Sequence, residues 1–275
     1  MSSFRKISRI AVAVATVSGA YVAYNLQSPA FAAPSHDDLR GRLLTLFKPS
    51  NSSWDNNWDF CETGKRKLSS DGMLEEPDIK PTGKRHLIFI RHGQYMDRED
   101  EDDKKVLTEL GRLQAEITGQ RLKDLNHNYT KIIVSDMIRA EQTADKICKY
   151  LPNVPRETCS MLREGAPFPP DPPSSNWRPE QCKFFRDSSR IEAAFRKHVH
   201  RADTTQVGDT VEIYVCHANV IRYIVCRALQ FPPEGWLRMS IGHCGMTWVT
   251  VRPNGRVSLR SLGDTGHLQP EKMTM

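Results

Sequence analysis

The stretch Leu87-Ile88-Phe89-Ile90-Arg91-His92-Gly93 decides how this chain folds. A short apolar run followed at once by Arg-His-Gly reads as a buried parallel strand that carries a histidine to its C-terminal end. Open α/β sheets bind ligands at that edge. The arginine beside the histidine points to an anionic ligand, because a guanidinium fork matches phosphate in two-pronged fashion. Gly93 is expected to let the backbone come close to that ligand. Taken alone, the triplet reads better as an ordinary strand end with a solvated Arg-His pair.

Two further junctions reverse that balance. The segment Ser135-Asp136-Met137-Ile138-Arg139-Ala140-Glu141-Gln142-Thr143-Ala144 follows a second apolar run, Lys131 to Val134, and places Arg139 in the first turns of a helix. A third run, Val211 to Cys216, ends in His217-Ala218-Asn219 and enters the helix-like stretch Val220 to Gln230. In a parallel sheet Arg91, His92, Arg139 and His217 converge on one edge. Two arginines and two histidines there make an anion pocket containing a nucleophile.

This set resembles the histidine phosphatase, or phosphoglycerate mutase-like, superfamily. The resemblance rests on the Arg-His-Gly triplet, Leu107-Thr108-Glu109-Leu110-Gly111-Arg112-Leu113-Gln114-Ala115, the segment around Arg139, Leu162-Arg163-Glu164 and Cys216-His217-Ala218-Asn219. They stand in the family's order over roughly residues 84 to 265. The resemblance implies that His92 is the nucleophile and forms a phosphohistidine, which splits one hard displacement into two easier ones. A neutral imidazole is required and is accessible near neutral pH. Arg91 and Arg139 would bind the phosphoryl oxygens, with His217 as a further donor, since phosphoryl transfer depends mainly on positioning and electrostatics. Glu164 matches the family's acid/base position, a role that needs a raised pKa. No metal and no cofactor are expected.

The implied fold is a phosphoglycerate mutase-like α/β three-layer αβα sandwich with a mainly parallel sheet. Strands are expected at 86–90, 131–135, 211–216, 245–251 and 256–262, and helices at 107–125, 137–150, 188–200 and 219–230. Pro253-Asn254-Gly255 suggests a hairpin between the last two strands and some antiparallel character. The Pro-rich segment 165–179 should be irregular and wall the pocket. The 275 residues suffice for one large domain, expected at 84–275, plus an N-terminal extension. The net charge is +6, of which Arg5, Lys6 and Arg9 supply three, so a nucleic-acid partner is not indicated. Seven cysteines without a Cys-x-x-Cys pair argue against a disulfide framework. Cys216 reads as a packed strand thiol.

Residues 1–34 form a separate module. Arg5, Lys6 and Arg9 precede the uncharged stretch Ile10 to Leu26, and no acidic residue occurs before Asp37. Three readings stay open on residue grounds: a short membrane anchor, a secretory signal with Ala30-Phe31-Ala32 as cleavage-site mimic, and a mitochondrial targeting segment. Residues 35–83 read as a polar linker containing Trp54-Asp55-Asn56-Asn57-Trp58-Asp59. Such tryptophans should be buried against something, in the same chain or in a partner.

With that motif included, and with Arg163-Glu164-Gly165-Ala166-Pro167 and Trp236, the chain resembles the mitochondrial serine/threonine-protein phosphatase group of the phosphoglycerate mutase family. That resemblance implies phosphoprotein substrates at serine and threonine, with phosphohistidine also attributed to the group. It implies a mitochondrial membrane location through the N-terminal segment. It also implies a homo-oligomer joined through Trp54, Asp55, Asn57, Trp58 and Asp59. The pattern departs from glycolytic mutases, which carry Glu-Ser where this chain has Gln94-Tyr95, and from acid phosphatases, which carry Arg-x-Pro. The acidic run Asp97 to Asp103 reads as a solvated loop that could repel acidic substrates or meet a basic partner. His198 and His200 lack a third nearby ligand for zinc. Cys61-Glu62-Thr63-Gly64-Lys65 departs from an adaptor-binding degron at Lys65. Two other readings compete with a protein phosphatase: a small-molecule phosphatase or mutase, and a non-catalytic scaffold. A scaffold would be expected to lose a pocket residue, and none is lost.

Overall fold

In the computed structural model, which describes residues 53–61 and 81–275, Leu87 to Ile90 lie in the strand β1 (Arg85–Arg91) and are at most 1% exposed. A strand so apolar on both sides must be covered on both faces. It sits between β4 (Thr210–Cys216), its parallel neighbour, and β5 (Met246–Val251), its antiparallel one. Among the described residues six strands form one sheet in the order β3-β2-β4-β1-β5-β6. β2 is Tyr129–Val134, β3 is Arg156–Thr158 and β6 is Val257–Asp264. The pairings make β5 the one strand that opposes the other five.

Among the described residues four α-helices cover the faces. α1 (Glu109–Leu125) begins where Thr108 accepts the N–H of Gly111 and ends at Asn126 in the left-handed region, a favoured residue there. α2 (Ile138–Cys148) joins it on one face, burying Leu122, Ala140, Ala144 and Ile147 against Ile88, Ile90, Ile132 and Val215. α3 (Gln181–His198) and α4 (Ala218–Ala228) cover the other face, burying Ile191, Phe195, Val220 and Ile224 against Leu87, Phe89, Tyr214 and Cys216. The αβα sandwich and its mainly parallel sheet thus follow from strand residues that alternate between two apolar layers.

The connection after β1 leads to α1 on one face, and the connection after β4 leads to α4 on the other. Neighbouring strands that send their helices to opposite faces leave a crevice at their C-terminal ends, where ligands bind in such folds. His92 and His217 stand at those two ends. The five expected strands and four expected helices are present. β3 was not expected: it is three exposed residues without an apolar signal. α3 starts seven residues before the expected 188, in Gln181-Cys182-Lys183-Phe184, where the periodicity is masked by charge. The hairpin at Pro253-Asn254-Gly255 is present, with Gly255 at φ +78°. The Pro-rich segment is irregular, and the fully buried Trp236 holds it by donating from Nε1 to the Phe168 carbonyl at 2.9 Å.

The compact unit runs from Asp55 to Met275, with Trp54 outside it. Residues 1–34 lie outside the described residues, so the anchor expectation is not addressed by the fold. No helix among the described residues is long and apolar enough to cross a membrane.

Candidate active site

His92 is held at the end of β1 by its backbone N–H, which donates to the Cys216 carbonyl of β4 at 3.0 Å. Its ring is buried, and Nδ1 lies 2.8 Å from the Gly93 carbonyl oxygen. A carbonyl only accepts, so Nδ1 carries the proton and Nε2 keeps its lone pair. Nε of Arg139 donates toward that Nε2 at 3.2 Å. Burial, reinforced by the charges of His217, Arg139 and Arg91, holds the imidazole well below its ordinary pKa. A neutral ring with its lone pair turned toward a guanidinium is the state a phosphoryl-accepting histidine needs.

His217 closes β4 and stands with its ring centroid 5.1 Å from that of His92. Its Nε2 is 2.9 Å from the Ser135 hydroxyl, which in turn accepts the N–H of Met137. The ring's other nitrogen, Nδ1, is buried without a partner among the described residues. Burial and the charges of Arg139, Arg190 and Arg91 push this imidazole well down too. The ring is therefore neutral.

Arg139 lies in the first turn of α2, buried, with its guanidinium 5.0 Å from the Tyr95 ring centroid. Its Nη1 is buried without a partner among the described residues, as is Nε of Arg91, whose Nη1 donates to the Ile241 carbonyl at 2.6 Å. Each guanidinium thus keeps an uncommitted N–H. The N-termini of α2 and α4 open on the same edge and add their partial positive charge.

Glu164 is half-buried, and its Oε1 accepts the N–H of Gly165 at 3.2 Å. Burial raises its pKa; the charge of Arg139, the Gly165 N–H and the charges of Arg91 and Arg222 oppose this without cancelling it. A carboxyl tuned upward suits proton donation and return. Arg190 of α3 fixes its backbone by donating to the Met161 and Glu164 carbonyls, each at 3.0 Å. Asn219 of α4 donates to the Gly165 carbonyl at 3.1 Å.

All five expected pocket residues, Arg91, His92, Arg139, Glu164 and His217, are therefore brought to one edge. Gly93 has another reason than the expected ligand approach. A Cβ there would meet the Gly111 carbonyl oxygen at 2.5 Å, so the glycine lets the start of α1 pack on the loop. Sequence reading missed His243, whose ring is 5.6 Å from His92. It lies there because β5 runs antiparallel and so starts at the edge where the parallel strands end, an order the sequence does not give. Ser135, Arg190 and Arg222 were missed because no motif singles them out. A cavity of about 480 Å³ adjoins the set, lined by Arg91, Gln94, Tyr95, Thr108, His243 and the acidic loop's Asp97 and Glu99.

The tryptophan motif docks elsewhere. Trp58 donates from Nε1 to the Gly255 carbonyl at 2.8 Å and packs on Phe195, ring centroids 5.8 Å apart. Asp59 accepts the Arg201 backbone N–H at 2.7 Å and pairs with its guanidinium, and Asn57 accepts from Arg201 at 2.9 Å. Burial alone would raise the Asp59 pKa, but hydrogen bonds and charge from Arg201 outweigh it and hold it low. Asp55 exchanges two hydrogen bonds with Gln230. Gly255 and Arg201 lie at the N-terminal edge of the parallel strands, opposite the pocket and roughly 20 Å away by strand length. His198 and His200 do not converge on a common point: one ring meets Cys159 and the other the Arg201 carbonyl. Cys216 is fully buried, and burial pushes its thiol up.

A neutral histidine beside two arginines, at the switch point of an αβα sheet, is an arrangement suited to phosphoryl transfer. A profile of the histidine phosphatase superfamily (branch 1) matches residues 87–166 and 172–265, and the chain belongs to that superfamily. It is 52% identical over 231 residues to the serine/threonine-protein phosphatase PGAM5, mitochondrial, of Mus musculus, covering 80% of each chain. It is 42% identical over 281 residues to the protein of that name in Drosophila virilis, covering 98% of this chain and 96% of the other. Among solved structures, Bacillus stearothermophilus YhfR superposes with a TM-score of 0.52 at 19% identity, covering 66% of this chain and 98% of that one, which bears on the fold alone.

Proposed function

We propose that the chain is a mitochondrial protein phosphatase that hydrolyses phosphoserine and phosphothreonine through a phosphohistidine on His92. The observation that carries this reading is the commitment of His92 Nδ1 to the Gly93 carbonyl, which leaves Nε2 as the attacking atom. Nε2 attacks phosphorus as the seryl or threonyl oxygen leaves, and Glu164 protonates that oxygen. Water, deprotonated by Glu164, then attacks phosphorus, the bond to Nε2 breaks, and inorganic phosphate and the free ring are released. Arg91, Arg139 and His217 hold the phosphoryl oxygens throughout, so the positive field comes from side chains. Support for the protein-phosphatase class comes from the relatives' names and from identity that extends beyond the catalytic fold.

Residues 1–34 are assigned to mitochondrial targeting and membrane attachment, on their basic, acid-free start and the apolar run that follows. The tryptophan motif is assigned to subunit assembly. Its docking edge lies opposite the pocket, so it would influence turnover through a neighbouring subunit rather than by touching the reacting groups of its own chain.

The test is full-length His92→Ala on a phosphothreonine peptide. Activity should vanish while far-ultraviolet dichroism is retained. Labelled wild-type enzyme should yield an acid-labile, base-stable phosphoryl adduct. Equal turnover of variant and wild type, or an acid-stable adduct, would refute the assignment.

A further inference from the structure

His243 has one ring nitrogen tied down and the other turned loose inside the site. The residue is 4% exposed, its ring is 5.6 Å from that of His92 and 6.1 Å from that of Tyr95, and it lines the cavity. Its Nδ1 lies 2.9 Å from the Thr274 hydroxyl, and its backbone N–H donates to the Thr274 carbonyl at 2.9 Å. Its Nε2 is buried and has no partner among the described residues.

A chain of hydrogen bonds leads to this ring from the loop after His92. The backbone N–H of Gln94 can only donate, so the Gln114 atom facing it at 2.9 Å is the amide oxygen. The other amide atom, Nε2, therefore donates, to the Lys272 carbonyl at 2.7 Å and to the Thr274 hydroxyl oxygen at 2.9 Å. The Thr274 hydroxyl already accepts from Gln114. Its own proton lies within reach of Nδ1 of His243. When Thr274 donates to Nδ1, the ring proton sits on Nε2. Burial and the neighbouring charge of Arg91 keep the ring neutral, with a pKa of about 3.

We infer that His243 is a substrate-binding residue, its Nε2–H donating to a phosphoryl oxygen, and that the carboxy-terminal Thr274 together with Gln114 positions it. It matches His217 from a second side: both rings are neutral, both have one nitrogen held by a hydroxyl, and both stand at similar distance from His92. The same loop also holds the machinery's backbone, since Cys244 N–H donates to the Arg91 carbonyl at 3.0 Å and the Ile241 carbonyl accepts from the Arg91 guanidinium. The segment around Thr274 thus forms part of the pocket. The inference rests on the phosphomonoester reading of the site.

The experiment uses the full chain with inorganic phosphate as competitive inhibitor of phosphopeptide hydrolysis. His243→Leu and Thr274→Val should each raise the inhibition constant for phosphate about tenfold or more, the cost of losing one hydrogen bond to a charged group. His243→Gln, which keeps a donor at the same reach, and Thr274→Ser should restore it to within about threefold. The double variant should be no worse than His243→Leu, because Thr274 acts through His243. Should His243→Leu not fold, the Thr274→Val and Thr274→Ser pair and His243→Gln carry the same comparison. Wild-type inhibition constants in Thr274→Val and His243→Leu, or losses that multiply in the double variant, would overturn the inference. Failure of the wild-type chain to hydrolyse phosphopeptide or to bind phosphate would instead overturn the phosphatase reading.

Discussion

Replacing Arg139 by alanine separates the two jobs its guanidinium does. Nη1 is buried without a partner among the described residues, within reach of an anion, while Nε faces Nε2 of His92 at 3.2 Å. Removing one preorganised donor of this kind costs about 10²- to 10³-fold, roughly 2.7–4 kcal/mol of barrier. kcat/KM should fall by that factor. The pH profile should move as well, and its sign follows from the charges. The Arg139 charge helps to depress the His92 pKa, so without it His92 protonates more readily and the acid limb shifts to higher pH. The same charge opposes the rise of the Glu164 pKa, so without it Glu164 stays protonated longer and the basic limb also shifts upward. The whole bell moves alkaline. kcat/KM measured on a phosphothreonine peptide from about pH 3 to 9 follows both limbs of the free enzyme. A loss below about tenfold, or a bell that stays in place or moves acid, would refute this arrangement of charges around the nucleophile.

Glu164→Gln should slow serine and threonine phosphoesters by about 10²-fold or more while leaving aryl phosphates, whose oxygen leaves without protonation, much less affected; equal slowing of both would contradict its role as acid. Trp58→Ala should lower particle mass in light scattering together with phosphatase activity, the fold being retained; an unchanged mass would make same-chain docking the motif's whole role. Asp59→Ala breaks a buried ion pair and should cost about 3–5 kcal/mol in urea unfolding at neutral pH. Because the folded carboxyl is depressed, its contribution is present above the ordinary carboxylate pKa and lost as pH falls through the folded one. The gap between wild type and Asp59→Ala should therefore close in acid, and a gap constant with pH would exclude the ion pair as its source.

Local sequence was enough for the sheet and for most of the pocket. Leu87 to Ile90, Ile132 to Val134 and Ile213 to Cys216 announce buried strands by unbroken apolar runs, and the residue that ends such a run is carried to the sheet edge with no further information. Arg91, His92 and His217 follow directly, and Arg139 follows from the helix that leaves β2. What the sequence could not supply was any relation between segments that share no pattern. His243 enters the site because β5 runs antiparallel, and its tautomer depends on Gln114 and Thr274, which are separated by 160 residues. Glu164 acquires its raised pKa from burial, and Arg190 and Asn219 hold the backbone around it in place. Trp58 and Asp59 find Gly255 and Arg201 at the far edge of the sheet. Hydrogen bonds, desolvation and charge act over a few ångströms in space, and only the fold brings residues so distant along the chain within that range.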